Sequence, residues 1–142
     1  MFNTISEALK NFCTHQVRTT HKLTKEKIDE EVMVAYIDIT TVDEKSYRVY
    51  VASDLNFLQT VTTIFLEEDN SDDETLKDML LELTNLIVGS AKVIAENTKD
   101  TNFNIATPVF LDKTKFNIDY DDLSTLETQD QKIMVAIKEL NE

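Results

Sequence analysis

Glycine and proline are almost missing from this chain of 142 residues: each occurs once, as Gly89 and Pro108. Glycine inside a helix costs about 1 kcal/mol against alanine. Its single use, at the centre of a helical stretch from Leu80 to Ile94, therefore has two readings: close approach of another backbone or partner, or helix packing alone. Cysteine is also limited to one residue, Cys13, which excludes an internal disulfide and fits a reducing compartment. It falls on the apolar face of the first predicted helix and reads as a small buried hydrophobe rather than a nucleophile. Basic residues are scarce, 14 Lys and Arg against 27 Asp and Glu, for a net charge of −13. That balance argues against nucleic acid as a partner, because phosphate binding needs clustered cations. No apolar run approaches the ~20 residues that cross a bilayer, and Met1-Phe2-Asn3-Thr4 lacks the basic start of a secretory signal. No membrane association and a cytoplasmic location are expected.

Metal chemistry finds no pattern either. The densest acidic run, Glu67-Glu68-Asp69-Asn70-Ser71-Asp72-Asp73-Glu74, lacks the turn glycine and terminal ligand spacing of an EF-hand loop and reads as a solvated linker ending in a helix cap. His15 and His21 have no cysteine or carboxylate around them in a zinc spacing. No metal or cofactor of the chain's own is assigned.

What is present is enough for one core: 42% of residues are hydrophobic, with no composition break, so residues 1–142 are read as a single domain. Phe2, Ile5, Leu9, Phe12 and Cys13 recur at helical spacing and predict an amphipathic helix from Phe2 to Val17. Val32 to Thr41 and Tyr47 to Ser53 read as strands joined through Val42-Asp43-Glu44-Lys45 into a hairpin. Ser53 or Asp54 then caps a helix from Leu55 to Leu66. A long helix follows from Glu74 to about Glu96, its start favoured by Asp72, Asp73 and Glu74 near the positive end of the helix dipole. Phe103 to Phe110 and Lys132 to Leu140 read as strands, with Ile133, Val135 and Ile137 on one side of the second. Phe116 to Tyr120 reads as a short strand and Asp121 to Gln131 as a polar loop. The sum is an α+β domain, helix then strands and again helix then strands, with halves that look duplicated.

The long helix carries the candidate site. At about 100° per residue, Asp78, Glu82, Asn85 and Gly89 lie within roughly 60° of one another, while Leu76, Leu80, Leu83, Ile87, Ala91 and Ile94 take the opposite side. Taken alone, such a polar stripe is what any amphipathic helix turns to water. Its internal offsets are more particular: Asp78, three residues, Glu82, two residues, Asn85, then Gly89 and Ala91, and twenty-two residues between Asn85 and Pro108.

These coupled offsets resemble the signature of the CheC, CheX and FliY family of chemotaxis phosphatases over about Glu74 to Val109. The first helix offers Glu7-Ala8-Leu9-Lys10, with lysine in the asparagine position, so one active site is implied and the layout is nearest to CheX. The resemblance implies dephosphorylation of the aspartate of a CheY-type response-regulator receiver, with a homodimer formed through the sheets. Asn85 would orient the hydrolytic water and Glu82 would pair with a receiver lysine. Asp78 would either help dock the partner or simply favour the helix start, Gly89 would lie in the partner-binding surface, and Pro108 would shape an edge strand or loop without touching substrate. The receiver would bring its own aspartate, lysine and divalent metal (Mg2+). The competing reading is a non-catalytic receiver-binding adaptor in a motility or signalling complex.

Overall fold

The computed structural model describes residues 1–18, 21–98 and 102–140. Strand β2 (Glu31–Thr41) alternates strictly: Met33, Ala35, Ile37 and Ile39 turn to one face of the sheet and Val32, Val34 and Tyr36 to the other. It pairs in hairpin register with β3 (Ser46–Ser53), from Met33↔Ser53 to Thr40↔Ser46. The hairpin closes with Glu44 in the left-handed region at φ 65° and Thr41 N–H donating to the Lys45 carbonyl at 2.9 Å.

Before this hairpin come helix α1 (Phe2–Phe12) and the short strand β1 (Lys22–Thr24), which was not anticipated from the sequence. The predicted helix to Val17 is α-helical only as far as Phe12; Cys13–Val17 form a π-helical turn that ends on Arg18 at φ 60°. Helix α2 (Leu55–Leu66) is capped by Asp54, whose carboxylate accepts from Phe57 N–H at 2.7 Å and from Lys132 N–H at 2.8 Å. Of the two expected caps, Ser53 is buried and donates its hydroxyl to the Asp54 carbonyl instead. The acidic segment after α2 is tied down rather than loose: Gln59 donates to the Glu68 carbonyl at 3.0 Å and accepts from Ser71 N–H at 2.7 Å.

Helix α3 spans Asp73–Thr98, 26 residues, and is followed by β4 (Phe103–Ile105), β5 (Val109–Lys115), β6 (Asp122–Thr128) and β7 (Gln131–Glu139). Three expectations are corrected here. The strand read over Phe103 to Phe110 is two strands lying end to end along the same edge of β2, broken at Ala106, Thr107 and Pro108. Proline cannot donate to a ladder, and Pro108 sits in that break. The stretch Phe116 to Tyr120 is not a strand but an irregular segment whose Phe116 is buried edge-on to Tyr50, ring centroids 5.8 Å apart. The polar loop read over Asp121 to Gln131 is mostly strand β6, paired with β7 from Asp122↔Ile137 to Thr128↔Gln131. Its buried hydroxyls are satisfied at a distance: Thr125 donates to the Glu26 carbonyl at 2.7 Å, and Ser124 accepts from Ser6 of α1 at 3.1 Å. The β6–β7 turn holds Gln129 at φ 45° and Asp130 at φ 68°, a primed hairpin turn made without the Asn-Gly or Asp-Gly pair that advertises one.

Among the described residues seven strands pair, all antiparallel, in the order β1-β6-β7-β3-β2-β4, with β5 also on β2. Exchanging β1 with β5, β2 with β6 and β3 with β7 reverses this order onto itself, so the duplicated halves expected from the sequence are built about a pseudo-twofold between β3 and β7. The helices cover one face of the sheet, where Ile5, Leu9, Phe57, Leu80 and Leu83 join Ile37, Val51 and Val135 in the main core. The far face is closed by Ile28, Phe116 and Ile118 over Val34, Tyr50 and Met134.

Candidate functional site

Helix α3 begins where the acidic segment provides a cap, with Asp72 accepting from Thr75 N–H at 2.9 Å. That bond and the one from the Thr75 hydroxyl hold the Asp72 carboxyl below its ordinary range. Its buried face comprises Leu76, Met79, Leu80, Leu83, Thr84, Ile87, Val88, Ala91 and Ala95. This is the leucine-rich side expected from the sequence, with Ile94 only half-buried against the core. One flank is fastened to the sheet edge: Lys113 reaches Asp73 at 2.9 Å, Lys77 stands 5.1 Å from the Phe110 ring centroid, and Lys92 donates to the Phe103 carbonyl. The helix is thus held along its length while its outer stripe is left to solvent.

On that stripe Asp78, Glu82 and Asn85 are exposed and, among the described residues, make no side-chain hydrogen bond or ion pair. An unpaired carboxamide and carboxylate on a rigid helix have their full capacity free for another molecule: the amide can accept and donate, the carboxylate can only accept. Gly89 is half-buried one turn further on, and a Cβ built there would meet nothing within 4 Å. Packing within the chain therefore gives no reason for the glycine. Conformation gives none either, because the six described residues at positive φ are Arg18, Glu44, Glu67, Asn70, Gln129 and Asp130, and Gly89 is not among them. The reading of Gly89 as a packing glycine thus has no contact behind it among the described residues.

The structure adds a feature that the sequence did not disclose. Beside the stripe, between α1, its π-helical turn, the end of α2 and α3, lies a groove of about 460 Å3 whose walls include Phe12, His15, Phe65, Leu86, Ile87 and Ser90. Phe12 and Phe65 of its lining meet edge-on, centroids 6.1 Å apart. Leu86, the residue after Asn85, is 41% exposed at its rim. An apolar residue interrupting the polar side of α3 was the available signal. The thiol of Cys13 is buried, and burial pushes its pKa up to about 12, which suits a core residue and not a nucleophile. Among the described residues no three His, Cys, Asp or Glu side chains come together as a metal cage, and no helix is long and apolar enough to cross a membrane.

The Glu-x-x-Asn stripe thus faces solvent on a core-anchored helix, beside a sheet of two pseudo-symmetric halves. The family model described as chemotaxis phosphatase CheX matches residues 21–138, and the chain belongs to that family. Solved structures agree on the fold. The chemotaxis protein CheX from Vibrio vulnificus is 20% identical, with a TM-score of 0.80 over 95% of this chain and 93% of that one. CheX in a CheX–CheY–BeF3–Mg2+ complex from Borrelia burgdorferi is 16% identical, with a TM-score of 0.71 over 99% and 97%. FliY from Thermotoga maritima is 16% identical, with a TM-score of 0.57 over 94% and 83%. No curated protein matches the sequence.

Proposed function

We propose that this chain is a protein-aspartate phosphatase that dephosphorylates a CheY-type response-regulator receiver. The observation that carries the reading is the pair Glu82 and Asn85, both exposed and, among the described residues, free of side-chain partners on one stripe of a helix whose other side is core. An acyl phosphate is already reactive, so its hydrolysis needs a water held in line with phosphorus more than it needs a new nucleophile. In the complex Asn85 enters the receiver site, its carbonyl accepting from the water while its NH2 donates nearby. The water oxygen forms the new bond to phosphorus, the bond to the aspartate oxygen breaks, and the products are inorganic phosphate and a free carboxylate. Glu82, one turn back, pairs with a receiver lysine and sets the docking angle. Asp78 and Gly89 complete the contact surface, and Pro108 stays structural in the break between β4 and β5. The receiver supplies the divalent metal, Mg2+, that offsets charge on the phosphoryl oxygens.

The reading places the protein in the cytoplasm with its receiver, as one CheX-like domain that pairs with a second copy through sheet edges. Support for pairing comes from edge strand β5, where Val109 and Leu111 are 42% and 45% exposed. Phosphate release from a phosphorylated receiver, with and without this protein, tests the function. Accelerated release is expected; tight binding of the phosphorylated receiver with no acceleration would return the adaptor reading in its place.

A further inference from the structure

The groove beside the stripe differs in character from the surface around it. Its walls, Phe12, Phe65, Leu86 and Ile87 with Asn11, His15, Gln16 and Ser90 at the polar margins, hold no carboxylate, in a chain with 27 acidic residues and a net charge of −13. Such a chain is repelled by an anionic phosphoryl group, and one exposed ion pair at Glu82 is too weak and too easily screened by salt to supply the affinity. Apolar contact is the source that remains, and the groove is where it is offered next to the chemistry. Leu86 and Ser90 of its α3 wall directly follow Asn85 and Gly89. The space left open at Gly89 lets another backbone pass close to α3 between Asn85 and the groove.

Building on the receiver-phosphatase reading, we propose that the groove takes an apolar side chain of the receiver, carried by a segment whose backbone crosses α3 at Gly89. The groove then holds the complex together while Asn85 performs the chemistry. A receiver fits better than a second copy of this chain, because an occupant seated against Leu86 and Ser90 also covers Asn85, and a homodimer made there would close its own site.

The test uses Leu86→Asp and Ser90→Arg, two substitutions on the outer side of α3 with opposite charge. Binding of a receiver loaded with beryllofluoride and Mg2+ is measured beside steady-state dephosphorylation. Each variant is expected to weaken binding and raise KM by about tenfold, with kcat within about threefold of wild type, since contacts made equally in ground and transition states move KM alone. A loss shared by an added anion and an added cation identifies filling or polarising of the groove rather than charge. Thermal melts close to wild type keep the comparison valid, and the milder Leu86→Ala, with a proportionately smaller rise in KM, serves if either charged variant melts early. If wild type dephosphorylates the receiver and all these variants bind it equally well, the groove proposal is overturned while the phosphatase reading stands. If wild type releases no phosphate, it is the reading that fails. A wild-type dimer that Leu86→Asp splits, with receiver binding intact, would assign the groove to a second copy and also overturn the proposal.

Discussion

Helices α1 and α3 precede equivalent strands of a sheet whose strand order maps onto itself, yet only α3 carries the Glu-x-x-Asn stripe. Where α3 carries Asp78, Glu82, Asn85 and Gly89, the same offsets in α1 fall on Asn3, Glu7, Lys10 and Thr14. The glutamate alone is common to both. The helices differ in form as well: α3 runs 26 residues, whereas α1 stops after 11 and turns π-helical at Cys13, so Thr14 lies in a distorted turn. Both bury an apolar face in the same core. The two helices thus share what packing demands and differ in their exposed stripes, which the core does not constrain.

The sharpest way to break this contrast is Asn85→Ala. The position is exposed and alanine is a better helix former than asparagine, so the fold and the binding of an activated receiver should persist. Loss of the amide that orients water should cut receiver dephosphorylation by about a hundredfold or more, the range seen when a single positioning or oxyanion group is removed. Near-normal phosphate release from this variant would remove Asn85 from the mechanism.

Adding Lys10→Asn to Asn85→Ala asks whether the other helix can be revived. Because Thr14 and the π-helical turn stand where Gly89 and regular helix stand in α3, we expect the double variant to stay as inactive as Asn85→Ala. Recovery of phosphate release would mean that the two helices differ only in one side chain.

A smaller effect is expected at Glu82. Glu82→Lys should weaken receiver binding at low salt by about tenfold and Glu82→Gln by only a few-fold, since lysine adds repulsion where glutamine only removes attraction. Equal affinities for Glu82→Lys and wild type would end the docking role of this residue.

At Gly89 the two requirements separate. Gly89→Ala should raise stability by about 0.5–1 kcal/mol, because alanine is favoured in a helix interior and its Cβ has open space. Gly89→Leu, whose Cβ has the same open space, should keep a Tm no lower than wild type while losing receiver binding. A lower Tm for Gly89→Leu would instead return the glycine to helix packing.

The smallest expectation concerns Cys13, on the apolar side of the divergent helix. With its pKa pushed up to about 12 by burial, the thiolate is scarce at neutral pH. A thiol reagent near pH 8 should modify Cys13 only when denaturant opens the fold; rapid labelling of the native protein would contradict its burial.

The residues themselves determined what depends on local period and spacing. The amphipathic pattern of α1, the β2–β3 hairpin, the leucine face of α3 and the outward placing of Asp78, Glu82 and Asn85 all follow from positions a few residues apart. Tertiary structure decided whatever depended on partners far along the chain. Strand β6 reads as a polar loop because Ser124 and Thr125 find their hydrogen bonds at Ser6 and Glu26, and because its turn uses Gln129 and Asp130 in place of glycine. Phe116 looks like part of a strand but serves as a lid over Tyr50. The open space at Gly89 also came from the tertiary structure, since no spacing tells whether a missing side chain leaves room for a neighbour in the chain. The groove at Leu86 left only that one apolar residue as a sign in the sequence, because its walls come from α1, α2 and α3 and exist only once those helices have packed on the sheet.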